Sequence, residues 1–144
     1  MVKTMVHAGR KSGVFQYQAP ATLNQAAPVQ NTWYTILNNT PNCRVYNVSV
    51  NVEDTNETLQ LRVEVDGQVY NSVGVACTHS TLYYPYHFPD SINLGASIGL
   101  TATVGDMQRR AFVVEGRNIK IQVRKTTATG AGNLTGLVSY GVLS

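Results

Sequence analysis

Three histidines are the chain's candidate metal ligands, His7, His79 and His87. His79 and His87 lie eight residues apart in one irregular segment, and Asp90 follows them. A zinc site needs at least three converging ligands, and nothing in this spacing brings three together. The sequence therefore predicts no metal site.

A second set of candidate ligands is acidic, and consists of Glu53, Asp54 and Glu57. Carboxylate oxygens are the ligands that calcium prefers, but a dedicated calcium loop also carries a regular Asp/Asn and Gly pattern. That pattern is absent here. We interpret the three acids as a solvated turn between strands.

The motifs of covalent and phosphate chemistry are missing from the sequence. There is no G-x-S-x-G nucleophile turn and no G-x-x-x-x-G-K phosphate loop. The eight acidic residues fall mostly in predicted turns, so no pair can be assigned to acid–base catalysis. We therefore predict that the protein is not an enzyme and uses no cofactor.

The two cysteines, Cys43 and Cys77, are too few to form a disulfide framework in a chain of this length. Both fall within or at the end of predicted strands. Buried free thiols are the interpretation we favour, and a bond between them is the alternative.

An aromatic cluster is the one candidate for a binding surface. Tyrosines on a loop offer rigid contact area with a polar tip, which suits protein partners or glycans. The residues concerned are Tyr83, Tyr84, Tyr86, His87 and Phe88. In the alternative, alternate rings close the end of the fold. Trp33 is expected in the core, because apolar and polar residues alternate around it.

The elements that would position these side chains are strands. Glu57–Cys77 predicts two strands joined at Asp66-Gly67, with alternating apolar residues. A two-residue loop would pair Val63 with Tyr70, whereas a three-residue loop pairs Val63 with Val69. We favour the second register, because it keeps the apolar residues on one face.

Similar segments recur, with turns every 8–12 residues. Among them are a turn at Asn38–Asn42 and a second hairpin about Gly116-Arg117-Asn118. Eight to ten strands in 144 residues favour an all-β, antiparallel β-sandwich. A jelly roll is the first topology that we predict, and an immunoglobulin-like sandwich is the second.

The predicted domain organisation is an arm followed by one compact domain. Residues 1–28 form an N-terminal arm and linker, with a possible short strand at 12–18, and residues 29–144 form the sandwich. The basic residues of the arm are predicted subunit contacts: Lys3, Arg10 and Lys11. We expect no signal peptide and no membrane insertion, because no apolar run has the necessary length.

Charge is scarce and unevenly distributed. Only 13% of residues are charged, against about 25% in ordinary domains. Residues 53–66 hold five acids and one base, whereas residues 107–125 hold six bases and one acid. Complementary patches of this kind steer head-to-tail packing between copies, and solvated faces without a partner are the alternative. Nucleic acid is not an expected partner, since no stacking aromatics alternate with the basic residues.

Two blocks of the chain carry a resemblance. PVQNTWYTILNNTPNCRVYNVSVNVEDTNETLQLRVEVDGQ (Pro28–Gln68) and NIKIQVRKTTATGAGNLTGLVSYGVL (Asn118–Leu143) cover about half of the sequence. With their P-V-x-N-T-W-Y, E-T-L-x-x-R-V-x-V-D-G and I-x-V-R motifs, they resemble small β-sandwich structural proteins of bacterial and archaeal viruses.

The resemblance implies a virion component that acts through repeated subunit contacts. We therefore expect a capsid or decoration (cement) protein, located in the virion after synthesis in the host cytoplasm. Its partners would be copies of itself and other virion proteins. The alternative is a carbohydrate-binding, lectin-like module such as a spike or fibre head, with glycans as its ligands.

Overall fold

A computed structural model describes residues 14–54, 57–77, 81–87, 98–102, 113–129 and 131–143. In these ranges the chain forms ten strands and no helix. The strands are β1 (Phe15–Tyr17), β2 (Ala21–Gln25), β3 (Tyr34–Val52), β4 (Thr58–Val65), β5 (Gln68–Asn71), β6 (Val75–Ala76), β7 (Tyr84–His87), β8 (Gly99–Thr101), β9 (Val114–Lys125) and β10 (Leu134–Leu143).

The main sheet has the order β1-β10-β3-β9-β4-β5, and every neighbouring pair in it is antiparallel. β2 pairs with the first half of β10, and β6 pairs with the first residues of β4. β7 and β8 form a separate antiparallel pair. An isolated bridge between Val50 and Tyr83 brings this pair next to β3.

β3 belongs to both halves of the sheet. Its 19 residues pair first with β9, from Tyr34 to Val45, and then with β10, from Cys43 to Val52. The two halves face each other, because a Cβ on Gly136 of β10 would lie 2.5 Å from Cδ1 of Ile36 in the first half of β3. The long strand therefore closes one sheet into two layers.

The core lies between these layers. On β4 the side chains alternate strictly, with the odd-numbered residues buried and the even-numbered ones half-buried. The fully buried aliphatic residues come mainly from three strands: Val45, Val48, Val50 and Val52 on β3, Leu59, Leu61, Val63 and Val65 on β4, and Ile119, Ile121 and Val123 on β9. Each buried side chain of this size contributes about 1.5–3 kcal/mol to stability, because its apolar surface is removed from water.

The fold class is confirmed: the described chain is all-β, with antiparallel sheets, and is consistent with a β-sandwich. The observed strand order does not establish a jelly roll, so that topology stays a prediction. The expected buried free thiols are confirmed at Cys43 and Cys77. Among the described residues there is no helix of the length and apolarity needed to cross a membrane.

The favoured register of the first hairpin was wrong. The structure pairs Val65 with Gln68 and Val63 with Tyr70 across a two-residue turn. Asp66 (φ 50°) and Gly67 (φ 84°) both have left-handed backbone, as a type I′ turn requires, and Asp-Gly is a preferred sequence for it. The local turn chemistry outweighed the preference for keeping every valine inside.

The consequence of this register is an exchange of core residues. Tyr70 is buried, whereas Val69 and Val73 are 44% and 55% exposed. The ladder then shifts by one residue, since Arg62 pairs with Asn71 but Leu59 pairs with Val75.

Two predicted turns are in fact strand. β9 runs without interruption through Gly116-Arg117-Asn118, and β3 runs through Asn38–Asn42. Gly116 is needed for close approach, because a Cβ there would lie 2.8 Å from Cγ1 of Val65. In β3, register shifts between Thr35 and Thr40 absorb the irregular sequence as bulges.

Residues 14–25 contain more strand than predicted. Phe15–Tyr17 is a strand within the range expected at 12–18. Ala21–Gln25, however, was interpreted as part of an extended linker, and it pairs with Leu134–Val138 of β10 instead. Both strands cover the edge of β10, which would otherwise expose unpaired backbone groups.

Candidate functional site

The predicted aromatic surface is divided by the structure. Tyr83 is buried, with its backbone N–H and C=O bonded to Val50 at 2.8 and 2.9 Å. Tyr84 is half-buried. Tyr86 and His87 lie in β7, where only their backbone is described, and Phe88 lies outside the described residues. Tyr83 thus closes the core, as in the alternative interpretation, and a binding role for the other four stays a prediction.

Several other candidates lie outside the described residues: Lys3, Arg10 and Lys11 of the arm, and His7, His79 and Asp90. Their predicted roles therefore stay predictions. Within the described ranges no three His, Cys, Asp or Glu side chains come together as a metal site.

The prediction that Trp33 is a core residue was wrong. Trp33 is half-buried, and two guanidinium groups lie over its ring. The Cζ atom of Arg62 is 4.4 Å from the ring centroid, and that of Arg124 is 4.5 Å away. Such cation–π contacts contribute about 0.5–1 kcal/mol each at exposed sites.

Two glutamine side chains hold these arginines in place. Arg62 donates through Nε and Nη2 to Oε1 of Gln122, at 3.0 and 2.5 Å. Arg124 donates through Nε to Oε1 of Gln60 at 2.8 Å. Each glutamine is anchored in turn, Gln122 on Thr35 Oγ1 at 3.1 Å and Gln60 on the Ser72 carbonyl at 2.8 Å. We call Trp33, Thr35, Gln60, Arg62, Gln122 and Arg124 the Trp33 platform.

Strand register explains why these residues meet. The even-numbered side chains of β4 point away from the core, and β4 pairs Gln60 with Arg124 and Arg62 with Gln122 on β9. Trp33 immediately precedes β3, whose Thr35 pairs with Gln122. Cross-strand pairs of this kind are the basic unit of sheet stabilisation.

The platform carries uncompensated positive charge. Among the described residues, no carboxylate lies within ion-pair distance of Arg62 or Arg124. The same face continues to Glu64, which is paired directly across from Lys120. Counting these four charged residues, the face has three bases and one acid.

Two other basic residues are paired inside the protein. Arg44 forms an ion pair with Glu115, which is fully buried, and its guanidinium lies 4.6 Å from the Phe15 ring centroid. Lys125 is also fully buried, with Nζ 3.6 Å from Oε2 of Glu57. Glu57 also accepts a hydrogen bond, from Thr127 Oγ1.

The two thiols do not form a nucleophilic site. Burial raises the pKa of Cys43 from 9.0 to about 12. Burial likewise raises the pKa of Cys77 to about 12, against a lowering contribution from the backbone of Leu59. Thiolate is the reactive form, so both residues are protonated and inert near neutral pH.

Sequence reasoning missed the platform, although its signal was present. Gln60 and Arg62 alternate with buried leucines on one segment, and Gln122 and Arg124 alternate with Ile121 and Val123 on another. Only the pairing of β4 with β9 shows that the two polar faces are adjacent, and that pairing is not written in either segment alone.

Comparison with known proteins gives little similarity. No protein-family model and no curated protein matches the chain. One solved structure, described as "Structure of infectious bursal disease virus Gx strain", is similar over 89% of this chain at 10% identity, with a TM-score of 0.27. The chain spans about a third (34%) of the length of that chain. A likeness this weak carries no argument about function.

Proposed function

We propose that the protein is a non-enzymatic structural subunit of a viral particle, of capsid or decoration type, which acts through repeated subunit contacts. The observation that carries the proposal is that three separate sequence motifs supply the residues of the Trp33 platform. Trp33 comes from the P-V-x-N-T-W-Y motif, Arg62 from the E-T-L-x-x-R-V-x-V-D-G motif and Arg124 from the I-x-V-R motif. The three motifs of the resemblance to virion sandwich proteins therefore converge on one surface.

The properties of this surface support a contact role. Tryptophan and arginine are the residues most enriched among those that dominate binding energy at interfaces. On the platform their positions are fixed before any partner arrives, because both arginines are bonded to anchored glutamines. Preorganised side chains lose less conformational entropy on association.

The arm proposed to contact a neighbour is shorter than the sequence predicted. β1 and β2 pair with β10 of their own chain, so residues 14–25 are not available to drape over a neighbour. We propose that residues 1–13, with Lys3, Arg10 and Lys11, contact an adjacent copy.

The carbohydrate-binding alternative receives less support from the geometry. Tyr83, one of the aromatic residues predicted to form a binding surface, is buried. The Trp33 ring already makes cation–π contacts with two guanidinium groups.

Sedimentation velocity across a concentration series, combined with electron microscopy of the native assembly, tests the proposal. We expect the full chain to form regular oligomers or a lattice, and removal of residues 1–13 to weaken them. A full chain that stays monomeric, and binds a glycan array in a way lost in Tyr84→Ala and Tyr86→Ala, would favour the lectin instead.

A further inference from the structure

We propose that the Trp33 platform is a carboxylate-binding site. Its ligand would be the Glu53 carboxylate, in the acidic end that follows β3 (Glu53 and Asp54), on a second copy of this chain. This inference rests on the proposed function and names the contact that it requires.

The chemistry of the ligand follows from the free donors of the platform. Arg62 uses Nε and Nη2 on Gln122, and Arg124 uses Nε on Gln60. Within the described ranges, the Nη1 group of Arg62 and both Nη groups of Arg124 have no protein partner. A guanidinium fork of this kind matches a carboxylate in geometry and charge.

A sugar acid is the less suitable ligand. It would offer the same carboxylate, but its ring needs an aromatic face to stack on. The Trp33 ring already contacts two guanidinium groups, at 4.4 and 4.5 Å from its centroid. The observations therefore favour a protein carboxylate.

The chain itself supplies a matching group. Glu53 is exposed, and its side chain has no partner among the described residues. Asp54 follows it and accepts a hydrogen bond at 2.9 Å from the Gly132 N–H, which fixes the local backbone. Of the other described acids, Glu57 contacts Lys125, Asp66 accepts from the Asn118 N–H and Glu115 pairs with Arg44. Glu64 lies on the same strand face as the platform itself.

The geometry of such a contact would be head-to-tail. The platform and the acidic end are different surfaces, so each copy offers one and accepts the other. Contacts of this type generate rings when the rotation closes and extended arrays when it does not. Charge complementarity would fix their orientation and rate of encounter.

Charge reversal with complementation tests the inference. Arg62→Glu/Arg124→Glu and Glu53→Lys are each expected to raise the dissociation constant of self-association by about tenfold or more. An equimolar mixture of the two variants should recover most of the lost affinity, because each reversed surface then meets its complement. Arg117→Glu, at an exposed position on β9, makes the same kind of charge change elsewhere and should have little effect.

A further double variant guards against misfolding. Arg62→Gln/Arg124→Gln keeps hydrogen-bonding capacity and removes the charge, and it should weaken association without complementation by Glu53→Lys. Circular dichroism and thermal melting establish that each variant is folded.

The outcomes separate the two proposals. If the wild-type chain does not associate, the structural-subunit proposal fails and this inference fails with it. If the wild type associates but the reversed variants behave like it, or the mixture does not recover affinity, only the carboxylate contact is overturned. Binding of an acidic glycan to the platform of a monomeric protein would also overturn it.

Discussion

The basic side chains of this protein occur in two contrasting settings. Arg44 and Lys125 are paired with carboxylates, and the carboxylate of Glu115 and the ammonium of Lys125 are fully buried. Arg62 and Arg124 lie on an outward face with an indole and two amides but no acid among the described residues. Both sets are held in fixed positions, but Arg44 Nε and Lys125 Nζ are buried, whereas Arg62 and Arg124 lie on strand faces that point away from the core. The difference separates charges that serve the fold from charges available to a partner.

The buried pair should give the largest effect on stability. Arg44→Met leaves the Glu115 carboxylate in the interior without its cation, and we expect a loss of about 3–5 kcal/mol in the free energy of unfolding. Urea denaturation measures it. The double variant Arg44→Met/Glu115→Leu should recover much of the loss, and a double variant as unstable as the single one would contradict this account.

The Lys125 pair should give a smaller loss. Glu57→Gln removes the counter-charge of a fully buried ammonium group, but the glutamine keeps a carbonyl oxygen that can still face Nζ, so only part of the interaction is lost. We expect about 2 kcal/mol of destabilisation in urea denaturation. Thr127→Val keeps the charge of Glu57 and removes the hydroxyl that donates to Glu57 and accepts weakly from the Thr58 N–H, and it should cost about 1 kcal/mol. Equal losses in the two variants would argue against a role for charge.

The turn at Asp66-Gly67 gives a control without charge. Nothing lies within 4 Å of a Cβ built on Gly67, and its φ is +84°. Gly67→Ala should therefore cost only the strain of left-handed backbone, about 1–2 kcal/mol, measured by thermal melting. A neutral result would contradict the two-residue register.

The platform should give a small effect on stability and a large one on association. Arg62→Gln/Arg124→Gln removes two cation–π contacts at about 0.5–1 kcal/mol each. The free energy of unfolding, measured in urea, should therefore fall by about 1–2 kcal/mol at most. Self-association should fall much more, and raising salt should weaken the wild type but not this variant. A large loss of stability with unchanged association would reverse the comparison.

The sequence predicted the layers better than the connections. Alternation on β4 identified Leu59, Leu61 and Val63 as buried, because a half-buried strand repeats every two residues. The same rule failed at Val69 and Val73, where the left-handed Asp66-Gly67 turn set the register. The turn predictions failed at Gly116, where the Val65 side chain approaches the backbone closely, and at Asn42, whose left-handed φ of 46° lies within β3.

The site was harder to predict than the fold. Trp33, Arg62 and Arg124 come from three separate segments, and each looks ordinary within its own strand. They form a cluster only when β4 and β9 are neighbours in one particular register. Long-range pairing of this kind depends on the whole set of strands, so local spacing could not reveal it.

The single long strand β3 has a mechanical consequence. Because the same 19 residues hydrogen-bond to β9 along one stretch and to β10 along the next, neither layer can come away while the other keeps its shape. Cleavage of the backbone near Val45 would release both layers at once.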